Sequence, residues 1–324
     1  MAVIITNIEP DHLDYWGSFE ALVAAFEHFA LDIGARQDFI MACLDDAITA
    51  RLITKVRASG VKVHSYGFSR EANSRPDAHR RGGAGLTFRV LGYGRHLPSI
   101  SLRVPGTHNL LNPTAALATA MALGYALMDA STGLGLYSGT SRLCDFQGEA
   151  DAIRVYDDFA HHPKELVACL RAARELAGKR LVVACQAHHY YRTAMFIQEF
   201  GAALGLADEV VVLEVFAPGE EPIPRANGLE MADRVPLPAH QIWFEPDAAA
   251  VPRHLVDRSQ PGELIMTIGQ GDVATMAPTI LSLLRDRSKS RSAPHPAHAG
   301  TIDEVAKKAF VPNGEIQLTN SVGD

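Results

Sequence analysis

The 324-residue chain is long enough for roughly two domains of ~150 residues each. A hydrophobic fraction of 47%, a charged fraction of 21% and a net charge of −7 describe a soluble globular protein and exclude the basic footprint of a nucleic-acid binder. No apolar run reaches the ~18 residues that span a bilayer, no signal-peptide pattern opens the chain, and Cys43, Cys144, Cys169 and Cys185 show no CxxC spacing, so free thiols in a reducing cytoplasm are expected.

The opening run AVIITNI is β-rich and starts one residue after Met1. It reads as a buried parallel strand, an element that normally has sheet neighbours on both sides. SFEALVAAFEHFALDI places apolar residues at helical spacing behind a Ser18 cap. QDFIMACLDD is predicted to be a strand with Asp45 and Asp46 at its carboxyl end, followed by a helix through ITARLITK. KVHSYGF, LTFRVL and SISLRV read as further strands, the last two joined by a Gly-containing turn that predicts a hairpin. HNLLNPTAALATAMALGYAL reads as one long alanine-rich helix, and SRLCDFQGEA as a linker.

From about Asp151 the alternation is regular. AIRVYDDF is a strand and PKELVACLRAARELAG a helix, with Pro163 in its first turn where a missing N–H costs nothing. RLVVACQ, a helix after Arg192, DEVVVLEVF, a helix near Asn227, ELIMTIG and a last helix follow. Such alternation predicts a parallel sheet covered on both faces. From Ser288 the chain turns polar and Pro-rich, which reads as linker and tail. The expected division is 1–147, 148–287 and 288–324.

In an open α/β sheet, ligands bind at the carboxyl ends of the strands. Asp157, Asp158, His161 and His162 follow one strand of the second domain, and Gln186, His188, His189, Tyr190 and Arg192 the next. Glu214, Glu220 and Glu221 follow the third, and GQGD, Gly269 to Asp272, the fourth. Four successive strand ends carrying charge or glycine predict a functional cleft. In the first domain, TNIEPDHLDYWG carries Glu9, Asp11, His12 and Asp14, and PGTHNLLNPTAA carries His108, Asn109 and Asn112. Asn109 and Asn112, three apart, share a helix face, and amides can read the edge of a nucleobase. By themselves, Asn109 reads first as an N-cap and His12 as a surface histidine in an acidic loop.

Taken in order, TNIEPDHLD, the DD of CLDD, PGTHNLLN, DDFAHHP, HHYYRT, VFAPGEEPIP and GQGD resemble the Mur ligases, ATP-dependent enzymes that assemble the peptide of bacterial peptidoglycan. The resemblance covers about Ala2 to Arg287. It is nearest the branch that joins L-alanine to UDP-N-acetylmuramate, with the tripeptide-recycling ligase the most easily confused relative. It implies an α/β fold: a partial central ATPase domain followed by a Rossmann-like C-terminal parallel-sheet domain. It also implies an amide bond made through an acyl phosphate, with positioning and neutralisation of phosphate charge supplying the catalysis. By this resemblance His12 would help hold Mg²⁺. His108, Asn109 and Asn112 would contact adenine, and Asp158 the ribose of ATP. Arg142 is the neighbour of the position where the family has a nucleotide-binding arginine, which an ungapped alignment places at Leu143. His161, His188 and Arg192 would surround the acceptor amino acid, Arg192 being suited to its carboxylate.

The sequence also departs from the family. A Mur ligase needs a glycine-rich GxxGKT-type loop for the ATP phosphates, and the only Gly-Lys pair here is Gly178-Lys179, followed by Arg180. The family's N-terminal UDP-sugar domain has no counterpart. The chain thus reads as the back portion of a ligase, without activity by itself, the loop being expected upstream of AVIITNI or, if the gene is split, on a separate half. His189 stands where the family has arginine, Phe159 where it has tyrosine, and Lys164 where threonine is common. The competing readings are a non-catalytic nucleotide- or amino-acid-binding module and a remnant with no role. The segment from about Asp151 to Arg287 is expected to fold alone, and the segment before it is not.

Overall fold

The computed structural model describes residues 1–82 and 85–292, so most of the Pro-rich tail lies outside the described residues. The first unit is built from β1 (Ala2–Ile5), α1 (Leu13–Trp16), α2 (Phe19–Ala35), β2 (Phe39–Cys43), α3 (Ala47–Ala58), β3 (Lys62–Tyr66), β4 (Ser74–Gly82), β5 (Gly85–Gly92), β6 (Arg95–His96), β7 (Ile100–Leu102), α4 (Leu111–Ala122) and α5 (Leu127–Leu136). β1, β2 and β3 run parallel, and β4, β5 and β6 extend the sheet beyond them, with β7 paired antiparallel to β5. Ser18 caps α2 as expected, accepting the Ala21 N–H at 3.1 Å. Asp46 caps α3 through the Thr49 N–H at 2.7 Å. Asp45 accepts the N–H groups of Phe68 and Ser69, so both aspartates of CLDD anchor backbone.

Three expectations for this unit change. Among the described residues β1 pairs with β2 alone, and Ile4 is 42% exposed, so the opening strand is an edge. The segment read as one long helix is a 3₁₀ turn at Thr107–Leu110, then α4, then α5. It breaks at Gly124, whose φ of +80° lies outside the helical region. β4 escaped notice because SRPDAHRRG carries Pro76 and several charges, and its register shifts between Pro76 and Ala78, where a missing N–H is tolerated.

The second unit contains β8 (Asp145–Ala150), β9 (Ile153–Asp158), α6 (Pro163–Leu176), β10 (Leu181–Gln186), α7 (Tyr190–Leu204), β11 (Glu209–Val212), α8 (Gly228–Ala232), β12 (Ile242–Phe244), α9 (Val251–Arg258), β13 (Leu264–Gly269) and α10 (Ala277–Ser292). Its sheet runs β12-β11-β10-β13-β9-β8, parallel except for β8. β10 and β13 are buried along their whole length, as strands covered on both faces must be. Leu166, Leu170, Phe200 and Met231 pack one face, and Val251, Leu255, Ile280 and Leu284 the other. Each such side chain contributes about 1.5–3 kcal/mol by leaving water.

The expected linker SRLCDFQGEA includes β8, an antiparallel edge strand that straddles the 147/148 division. The helix α10 runs past Ser288, the expected start of the linker. Its polar last turn is used, because Arg291 reaches Asp151 at 3.2 Å, beside Arg287 of the preceding turn at 2.7 Å. β13 lies between β9 and β10, and its helix α10 packs on the face opposite α6 and α7. That crossover opens a crevice at the strands' carboxyl ends, where ligands bind in open α/β sheets.

Candidate functional site

The two units meet along α6. Ala168, on that helix, borders three neighbouring clefts between them. One cleft, of about 240 Å³, is lined by His108, Asn109, Asn112, Leu143, Asp158 and Phe159. The structure thus brings together four residues singled out in the sequence, three from the first unit and one from the second. Gly106 shapes this wall. Its φ is +93°, and a Cβ there would sit 2.5 Å from the His108 ring, so only glycine lets the ring fold back on the loop. Asn109 is not a helix cap. Its Nδ2 donates to the Pro105 carbonyl at 2.6 Å, which fixes the amide plane and leaves its oxygen to accept. Asn112 is exposed on the first turn of α4.

Asp158 ends β9 and is buried. One carboxylate oxygen accepts the Ala160 N–H at 2.7 Å and the other the Cys144 N–H at 2.6 Å. Burial raises its pKa above the usual carboxylate value in spite of those two bonds. Arg142 stands apart from the cleft lining. Its Nε donates to Asp157 at 2.8 Å, its Nη2 to the Gly269 carbonyl at 2.6 Å, and its guanidinium stacks 4.9 Å from the Phe159 ring centre. It braces the cleft from behind, while its neighbour Leu143 lines it.

His188, His189 and Arg192 gather at the start of α7. The His188 ring stacks on Phe216 and lies 3.6 Å from that of His189, centre to centre. His189 has φ +71° and its ring faces Glu220, which also accepts the Tyr190 N–H at 2.7 Å. Arg192 is 1% exposed and is paired with Asp11 of the first unit at 2.6 Å. His161 turns its Nδ1 to the Phe159 carbonyl at 3.0 Å. Sequence reasoning assigned no role to Asp11 or Glu220. Only their positions in strand-end loops marked them.

Burial lowers the His188 pKa to about 4, with the charges of His189, Arg192 and His161 adding to the effect. A histidine kept neutral by the fold contributes stability that is complete above its unfolded pKa near 6.5. That contribution is lost as pH falls from 6.5 toward 4, because the unfolded chain then binds a proton that the folded chain refuses. Burial acts the same way on His162 and His254. The melting temperature is therefore expected to fall across that window, and less steeply in His188→Gln. An unchanged slope in that variant, measured by calorimetry, would contradict the assignment.

The implied Mg²⁺ does not fit these residues by themselves. His12 is exposed, with its Nε2 3.7 Å from an Asp11 oxygen, and Asp11 is committed to Arg192. Among the described residues no group of three His, Cys, Asp or Glu side chains is placed to hold a metal ion. Nor is any helix among them long and apolar enough to cross a membrane.

Comparison with known proteins accords with this arrangement. Residues 1–120 match the Mur ligase middle domain, and residues 144–271 match the Mur ligase, glutamate ligase domain. The chain is 47% identical over 288 residues to the UDP-N-acetylmuramate–L-alanine ligase of Acidothermus cellulolyticus, covering 88% of this chain and 60% of that protein. It is 44% identical over 285 residues to the ligase of the same name from Kineococcus radiotolerans, with the same shares. The chain therefore spans about 60% of the length of these curated relatives. Among solved structures, it resembles the UDP-N-acetylmuramate-alanine ligase of Thermotoga maritima, with TM-score 0.66 and 24% identity over 90% of this chain and 60% of that one. A MurF ligase from the same organism, in complex with ADP, gives TM-score 0.65 at 15% identity over 90% of this chain and 62% of that one. Identities this low speak to the fold alone.

Proposed function

The chain belongs to the Mur ligase family, and from that premise we propose that it carries the adenosine- and acceptor-binding portions of an ATP-dependent ligase that joins L-alanine to UDP-N-acetylmuramate. The observation that carries this reading is the shared cleft: His108, Asn109 and Asn112 face Asp158 across the two units. ATP supplies the phosphoryl group that makes the lactyl carboxylate an electrophile, and the alanine amine then displaces phosphate. The chain's own residues position these reactants. Asn109 and Asn112 present amides to the adenine edge, and Asp158 keeps lone pairs for ribose hydroxyls. His161, His188 and Arg192 surround the acceptor. His188, held neutral, adds no positive charge beside the incoming ammonium.

Two parts of the reaction have no home in these residues. No step is routed through a metal ion, since no closed donor set exists among the described residues. The phosphates also lack a cradle among the described residues. Lys179 of the only Gly-Lys pair donates to the Pro261 carbonyl, and Arg180 beside it pairs with buried Glu209 and Glu263. Turnover therefore requires a segment that brings a glycine-rich loop. A nucleotide-binding module without catalysis is the second reading, favoured by that same observation. Free thiols at Cys43, Cys144, Cys169 and Cys185 and a UDP-sugar substrate point to the cytoplasm.

Ligand-observed NMR of the 324-residue chain tests the reading. Adenosine and ADP are expected to bind with similar affinity, because the base and ribose find partners and the phosphates do not. Asn112→Asp is expected to weaken both about tenfold, through a lost hydrogen bond worth ~1–3 kcal/mol. Binding that ignores Asn112, or no adenosine binding at all, would remove the cleft from the reading.

A further inference from the structure

Arg192 is the largest of the fully buried side chains among the described residues. A buried guanidinium needs an anionic partner, since the cost of removing its charge from water is otherwise uncompensated. The partner here comes from the other unit, 181 residues away in sequence. Nε and Nη2 of Arg192 both donate to Oδ1 of Asp11, at 3.2 and 2.6 Å. The remaining contacts of the guanidinium are long ones, at 3.4 Å to the Tyr191 hydroxyl and 3.4 Å to the His188 carbonyl. The Nε–Nη2 edge is one of the two edges that can grip a carboxylate, and a carboxylate already holds it, taking the Nη2 that the other edge shares. Two carboxylates cannot share that edge.

We infer that Asp11 is the internal occupant of the carboxylate subsite at Arg192, and that the acceptor amino acid binds there by displacing it. This rests on the acceptor reading of Arg192 given above. The geometry permits the exchange. The Asp11 side chain is 27% exposed while that of Arg192 is 2% exposed, so the aspartate has a way out and the arginine does not. Asp11 is also tethered locally, since its Oδ1 accepts the His12 N–H at 2.9 Å. The consequence is a tax on affinity, because a ligand sees only the fraction of molecules in which Arg192 is unoccupied. Only a ligand bearing its own carboxylate can replace the one it expels, so the occupant also selects for amino acids over their amides.

A second ion pair, Lys164 of α6 to Glu9, ties the same two units together without touching Arg192. It separates exchange at Arg192 from mere loosening of the two units.

The test is titration of the full chain with L-alanine, with L-alaninamide as the probe that lacks a carboxylate. Asp11→Asn is expected to lower the L-alanine Kd about tenfold, as removal of an occupant present nine-tenths of the time would. The same variant is expected to leave L-alaninamide unchanged, Lys164→Ala to change neither, and Arg192→Ala to abolish L-alanine binding. Unchanged or weaker L-alanine binding in Asp11→Asn overturns the exchange, as does equal tightening in Lys164→Ala. If Arg192→Ala binds L-alanine as the native chain does, the acceptor role of Arg192 fails and the exchange falls with it. Adenosine binding on the same samples reports separately on the nucleotide cleft.

Discussion

Gly269→Ala is expected to destabilise the second unit by about 2–6 kcal/mol, adding a strained backbone at ~1–3 kcal/mol to an overpacked contact of similar size. Gly269 ends β13, in the middle of the sheet, with φ +124°. A Cβ there would lie 2.1 Å from the Gln186 carbonyl oxygen. That oxygen belongs to β10, the neighbouring strand, and backbone between two ladders cannot step aside as a flexible side chain would. The Gly269 carbonyl also accepts from Arg142, which in turn holds Asp157, so the displacement spreads to the brace behind the cleft that Asp158 lines. At ~2–4 °C per kcal/mol for a unit of this size, the melting temperature should drop about 10 °C at the middle of that range. A drop of ~2 °C or less would mean that the strand end relaxes freely, and the rigid floor assigned to the cleft would be wrong.

The parts of this molecule that could be read in advance are those where one local signal decides the outcome. Buried parallel strands announce themselves as unbroken apolar runs, which is why β10 and β13 fall where RLVVACQ and ELIMTIG stand. Ser18 and Pro163 mark helix starts by chemistry that needs no tertiary context. β4 and β8 are different, because what makes them strands is the partner across the ladder rather than their own composition. The same division holds at the site. His108, Asn109, Asn112 and Asp158 stand in motifs, and the fold brings them to one cleft. Leu143, where an ungapped alignment puts the family's arginine, faces the cleft, while Arg142 takes φ +60° and turns its guanidinium to Asp157. No sequence pattern encodes which of two neighbours points inward when a loop residue adopts a left-handed conformation. Nor could the chain order announce that Asp11 closes on Arg192, because an ion pair between units depends on how they pack.

Asp158→Asn is expected to weaken adenosine binding about 30-fold and to erase the preference for adenosine over its 2′,3′-dideoxy analogue, at ~1.5–3 kcal/mol for hydrogen bonds to a charged group. A carboxylate can accept on both oxygens, and Asp158 uses both, one for the Ala160 N–H and one for the Cys144 N–H. An asparagine has one oxygen. Its amide nitrogen would meet one of those N–H groups donor to donor, so the side chain must rotate or the loop must shift. Either response moves the group that the proposed reading sets against the ribose. Asp157→Asn is the control, because its oxygens are held by Arg142 and Thr267 and it does not border the cleft. That variant should cost stability and keep the preference for ribose hydroxyls. Acidification should act like the Asp158 substitution on the native chain. Burial raises the Asp158 pKa, so its charge is lost at a higher pH than an ordinary carboxylate would lose it. Adenosine affinity should accordingly decline as pH falls toward that raised value, and Asp158→Asn should lose that part of the decline, keeping only what His108, whose pKa burial lowers, contributes. If the variant keeps its preference for the ribose hydroxyls, Asp158 is a backbone clamp only, and the ribose must be held by another residue of the cleft.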